Sequence, residues 1–131
     1  MKQIYILLFT VVAVVTSCTD DSEATLRGRW QLQSYRLPNS QIVRCDSLFY
    51  SFDSGVAQLQ NNSSNHHCFG SYLLMDNRLE IILIPGGAYK LPELKQEYHW
   101  NDSIRSFEVM KLTSDQMQLM SGDTILLFRA F

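Results

Sequence analysis

From Leu26 to the C-terminus the chain alternates apolar and polar residues with a period of two, the pattern of strands buried on one face. The stretch LRGRWQLQSY puts Leu26, Gly28, Trp30 and Leu32 on one side and Arg27, Arg29, Gln31 and Gln33 on the other. A turn signal, LPNS at 37–40, ends it. QIVRCDSLFYSF follows, rich in β-branched and aromatic residues, and DSG at 53–55 breaks it. VAQLQ is a short strand with Ala57 and Leu59 on one face, NNSSN at 61–65 is a loop, and HHCFGSYLLM turns through Asp76 and Asn77 into RLEIILI. A long interruption, PGGAYKLPELKQEYHWNDS at 85–103, holds at most a short helical turn over 91–98, with Pro92 suited to its first turn. SFEVMKLT, QMQLM and TILLFRAF then resume the alternation, separated by SD and SGD turns. Eight strands is the count at which an up-and-down sheet closes and removes its edges. The expected fold is therefore all-β: an antiparallel up-and-down eight-stranded barrel, with a long loop or short helix between strands five and six. Nothing in the pattern supports an amphipathic helix of three or more turns, which argues against an α/β fold.

The N-terminus follows another rule. Lys2 precedes the apolar run IYILLFTVVAVV at 4–15, a signal-peptide core too short for a comfortable membrane span of about 20 residues. Val15, Thr16 and Ser17 before Cys18 resemble a bacterial lipobox, with Val in a position where Leu is commoner. The expected organisation is a signal peptide over 1–17, an acylated Cys18 and a barrel domain over 25–131. Such a protein would be lipid-anchored in the bacterial cell envelope, with the outer membrane as its expected location. The polar stretch at 18–24, carrying TDDSE, reads as a tether and resembles the acidic export tether of surface lipoproteins of Bacteroidetes; a plain solvated linker has the same composition.

Charge and chemistry narrow the function classes. Eleven basic and 13 acidic side chains leave a net charge of −2, without the basic excess that nucleic acid requires. Beyond Cys18, Cys45 and Cys68 invite a disulfide by parity, but an intervening strand separates theirs, and two free thiols fit that spacing better. His66 and Cys68 share a strand face and His67 faces the other way, so HHC falls short of the three ligands a zinc site needs. No nucleophile elbow, phosphate-cradling loop or His-Glu-x-x-His helix is present. Asp46 and Glu80 read as isolated outward carboxylates. No enzyme activity, metal or cofactor is expected.

Gly28-Arg29-Trp30 on the first strand resembles the Gly-x-Trp signature of lipocalins, and LLFRAF at 126–131 resembles the closing strand of lipocalin-like lipoproteins of Bacteroidetes. The resemblance covers essentially 24–131. It implies that Gly28, Trp30 and Arg129 form a structural lock, the guanidinium stacked on the indole, although alternation with Phe128 also permits an outward Arg129. The chain lacks the C-terminal helix of extracellular lipocalins, which leaves open a tighter barrel with little cavity. The resemblance implies a small apolar or amphipathic ligand. Tyr50, Phe52 and Tyr72 on the strands, with Tyr89, Tyr98 and Trp100 in the interruption, are the candidate ligand-binding residues. The interruption is either a packed cap or a ligand gate. The alternative function is a scaffold or interaction module that binds another envelope protein. A void on the order of several hundred Å³ favours the ligand reading, and side-chain filling favours the scaffold.

Overall fold

A computed structural model describes residues 18–84 and 91–131. Helix α1 (Cys18–Leu26) leads into β1 (Gly28–Arg36), β2 (Ile42–Arg44), β3 (Leu48–Asp53), β4 (Val56–Asn61), β5 (His66–Met75) and β6 (Arg78–Leu83). Helix α2 (Leu91–Tyr98) follows, then β7 (Ile104–Leu112), β8 (Gln116–Ser121) and β9 (Thr124–Ala130). Every pairing is antiparallel, and β1 pairs with β9 to close the sheet into a barrel.

Nine strands stand where eight runs were expected, because the second run splits. β2 pairs with Ser34–Arg36 and β3 with Gly28–Gln31, both along the same edge of β1. The break at 45–47 faces an irregularity in β1 between Leu32 and Ser34, and Cys45 N–H bridges it by donating to Gln33 O at 2.9 Å. A bulge of this kind sharpens local twist and bends the sheet. The β3–β4 turn has both central residues, Ser54 and Gly55, at positive φ, which matches strand twist across a two-residue hairpin.

The first departure lies at α1. The stretch expected as a free tether is helical, and its last turn packs on the barrel. Leu26 is fully buried at the end of the barrel where β1 begins. The Trp30 indole N–H donates to Leu26 O at 2.8 Å, and Tyr72 hydroxyl donates to Glu23 at 2.6 Å. Gly28 joins helix to strand at φ 128, a conformation side chains rarely adopt.

The expected lock between Trp30 and Arg129 does not form. Strand alternation gives the interior to Phe128 and turns Arg129 outward, where its Nε donates to Gln31 Oε1 at 2.7 Å. The stacked arginine is Arg29, on the outer wall. Its guanidinium lies 4.1 Å from the Phe49 ring centroid and 5.0 Å from that of Phe131. Phe131 N–H donates to Arg29 O at 3.0 Å, fastening the C-terminus across the seam. This clasp explains why Phe49, an outward residue of β3, is only 3% exposed. Arg29→Ala and Phe131→Ala should each destabilise modestly, with a double-mutant coupling of about 0.5–1 kcal/mol in urea denaturation. Additive losses would remove the clasp.

Inside, every second strand residue meets its counterpart. Trp30, Tyr50, Phe52, Leu59, Leu79, Ile81, Leu83, Phe107, Leu119 and Phe128 form one cluster. Side chains lining a water-sized void would carry accessible surface on it. Leu59, Leu79, Ile81, Leu83 and Leu119 carry none, and Tyr50, Phe52, Phe107 and Phe128 are 1% exposed. The described barrel is filled.

Candidate functional site

The end opposite α1 is shaped by α2, which occupies 91–98 as the spacing predicts. Glu93 in its first turn suits the positive end of the helix dipole. The helix stops at His99, in the left-handed region at φ 62. His99 N–H donates to Lys95 O at 3.1 Å and Trp100 N–H to Leu94 O at 3.2 Å, which satisfies two terminal carbonyls and reverses the chain. That reversal drops Trp100 into the barrel, where its indole N–H donates to Tyr50 hydroxyl at 2.9 Å. Leu94 and Tyr98 are buried beside it.

Polar contacts also fasten the helix. Tyr98 hydroxyl lies 3.2 Å from Leu59 O, 3.1 Å from His66 O and 2.8 Å from His66 Nδ1. His66 Nε2 faces Glu93 at 3.4 Å, and Glu97 accepts from Asn61 Nδ2 at 2.9 Å and from Ser64 Oγ. Burial pushes the Tyr98 and Tyr50 hydroxyls well above the usual phenol range, and it pushes the Cys68 thiol up to about 11. These groups are neutral at ordinary pH, and a protonated buried thiol is a poor nucleophile. Cys45 and Cys68 are free: Cys45 lies in the break between β2 and β3, Cys68 lies on β5, and β4 separates β3 from β5. His66 and Cys68 face inward and His67 outward. Among the described residues no group of three or more His, Cys, Asp or Glu gathers at metal-binding distance.

Of the expected ligand-binding residues, Tyr50, Phe52, Tyr72, Tyr98 and Trp100 are 1%, 1%, 7%, 2% and 1% exposed. They fill the barrel instead of lining a calyx. Tyr89 lies outside the described residues, as does the stretch 85–90 and the leader 1–17. Of the clefts open to solvent among the described residues, one of about 350 Å³ lies at the rim beside α2. The end of β1, the β1–β2 loop, the turn after α2, the start of β7 and the β8–β9 turn enclose it, through Leu32, Tyr35, Leu37, Tyr98, His99, Asn101, Asp102, Ile104, Arg105, Ser121, Gly122 and Thr124. Only Tyr98 of the expected set reaches this cleft. Tyr35 hydroxyl and His99 Nε2 stand 3.4 Å apart across its edge. Arg105 enters from the inner face of β7, Nε donating to Ser121 Oγ at 3.0 Å, with its guanidinium 5.6 Å from the Trp100 ring and 5.1 Å from that of Phe107. Sequence reasoning missed Arg105 because it began this strand at Ser106. Extending the alternation back from Phe107 puts Arg105 on the inner face.

A closed barrel of eight antiparallel strands with one short extra strand, entered through Gly-x-Trp and helical at both ends, defines a lipocalin-like β-barrel. The chain belongs to the lipocalin-like domain family, whose model matches residues 12–131. It is similar to a lipocalin-like protein from Bacteroides uniformis, at 26% identity and a TM-score of 0.74, over 82% of this chain and 99% of that one. An uncharacterized protein from Bacteroides eggerthii is similar at 28% identity and a TM-score of 0.70, over 81% and 99% of the two chains. A protein from Burkholderia xenovorans, 16% identical with a TM-score of 0.56 over 85% and 87% of the two chains, shares the fold. A comparison with curated proteins returns no match.

Proposed function

We propose that this chain is a lipid-anchored binding protein of the bacterial cell envelope, acylated at Cys18, which takes a small amphipathic ligand at the rim of a filled barrel. The rim cleft carries the reading. It is concave and of ligand size, and it combines apolar Leu32 and Leu37 with a few converging polar groups. The anchor rests on the leader motif and on the position of Cys18 at the start of α1, nine residues that run directly into the barrel. A single structural anchor of this kind holds a protein to a bilayer through multiple acyl chains. Binding rather than catalysis fits the neutral buried thiol and hydroxyls.

Cys18→Ala should abolish incorporation of labelled fatty acid and leave an unprocessed precursor in the expressing cell. A variant that still yields an acylated mature protein would sink the anchor.

A second reading, an interaction module for another envelope protein, has its own support. The outer wall of β5, β6 and β7 carries Phe69, Ile82, Ile84 and Ile104, 38–59% exposed, where an isolated domain would place polar residues. Register places Ile82 opposite both Ser71 and Ile104, and Ile84 N–H donates to Phe69 O at 3.1 Å, so the four side chains share one surface. Site-specific cross-linking from Ile82 in intact cells separates the readings: one discrete protein adduct favours the module, and none favours the ligand site.

A further inference from the structure

Arg105 is in the wrong place for an ordinary surface arginine. It sits at the mouth end of β7 on the same face as Phe107, which is 1% exposed, and its own side chain is only partly exposed. A cation withdrawn from water in this way is normally paired with a carboxylate. Among the described residues the ion pairs are Arg27 with Asp53 and His66 with Glu93; Arg105 is in neither. Its Nε is satisfied by Ser121 Oγ, and the faces of Trp100 and Phe107 stabilise the delocalised charge from the sides. Its two terminal nitrogens have no hydrogen-bond acceptor among the described residues, yet they are not sealed from solvent, because the side chain lines the rim cleft.

The rest of the cleft is consistent with an anionic guest. Tyr35 hydroxyl and the His99 ring add hydrogen-bonding groups that can act as donors. Asp102 is the acidic residue on the lining, and its Oδ1 is turned back to accept from Ser103 N–H at 2.7 Å and Ser103 Oγ at 3.4 Å. The volume, about 350 Å³, is near the lower end of ligand pockets and equals about a dozen water volumes. That admits an oxyanion with a short apolar body.

We propose that Arg105 anchors an oxyanion-binding site, and that the ligand at the rim is a small amphipathic acid whose carboxylate or phosphate head pairs with the guanidinium. Arginine's planar fork suits both heads, and a guanidinium already held by Ser121 and two aromatic faces loses little freedom on binding. The apolar body lies along Leu37 and the ring of Tyr35. This inference rests on the rim-ligand reading above and deepens it.

The test is an NMR titration of the soluble form lacking 1–18, with octanoate, octyl phosphate and octanol as probes. The reporter is the Trp100 indole N–H, and the Trp30 indole at the far end is the internal reference. Octanoate or octyl phosphate should shift Trp100 saturably and leave Trp30 still, with octanol binding about tenfold more weakly and without salt dependence. The tighter of the two acids identifies the preferred head. Arg105→Gln should weaken the acids about tenfold, to the octanol level, and Arg105→Lys should recover part of the loss because it keeps the charge but not the fork. If octanol binds as tightly as the acids, or Arg105→Gln leaves acid binding unchanged, the oxyanion site is overturned while the rim-ligand reading stands. If none of the three probes moves Trp100, both fail. The wild-type ratio of octanoate to octanol decides the matter even where the Arg105 variants do not fold.

Discussion

Trp100→Ala should destabilise the protein by about 3–5 kcal/mol, as truncation of a fully buried indole does. The loss has two parts. The indole fills the space above Tyr50 and Phe107, with ring centroids 6.3 Å and 6.2 Å away, so its removal opens a cavity that the surrounding strands cannot close. It also strands Tyr50 hydroxyl, whose partner is the indole N–H. Trp100→Phe separates the parts: the ring persists, the hydrogen bond is lost, and the expected cost falls to about 1–3 kcal/mol. Urea denaturation of both variants measures the difference. A Trp100→Ala protein within about 1 kcal/mol of wild type, against that expectation, would mean that α2 is a loosely held flap and not a plug.

Gly70→Ala should be nearly as costly, at about 3 kcal/mol, for a reason unrelated to cavities. Gly70 is buried on β5 between Ala57 of β4 and Leu83 of β6. A methyl group there would press on the carbonyl of Ile82 and stand 2.7 Å from Leu83 Cα. Both obstacles are backbone, so relief requires β5 and β6 to part. Thermal melts should show the drop, with cross-strand amide protection lost first between these strands. A melt unchanged from wild type would show that the sheet yields there at no cost.

These expectations rest on features that differ in how far local pattern reveals them. Period-two alternation identified each barrel strand, because one buried face imposes the same rule along the whole chain. The short helix at 91–98 was legible through Pro92 and the apolar spacing of Leu94 and Tyr98. The break at 45–47 was not, since it answers an irregularity on another strand and the apolar run continues through it. Helix α1 was hidden by composition. Six of its nine residues are polar, which makes a poor isolated helix, and this one is held by the burial of Leu26 and the bond from Tyr72 to Glu23, both of them contacts with the barrel. The arginines show the same limit. Arg29, Arg105 and Arg129 look alike as letters, and only the closed register decides that Arg29 clasps two rings, Arg105 enters the rim and Arg129 meets Gln31 on the surface. Of the six aromatic residues expected to bind ligand, Tyr50, Phe52, Tyr72, Tyr98 and Trp100 fill the barrel instead, and Tyr89 lies outside the described residues; that role became visible only once both barrel ends were seen to be occupied.

The seam between β1 and β9 has a consequence for the order in which the chain folds. Gln31 and Arg129 touch across 98 positions of sequence, so the closing ladder forms only after nearly the whole chain is available. Contacts of that separation carry a high loop-closure cost and are made late. Until then the growing meander presents two unpaired edges, one on β1 and one on the newest strand, both open to mispairing with other chains. Phe131, by closing on Arg29, terminates that exposure. The barrel therefore closes only once β9 is free to reach β1.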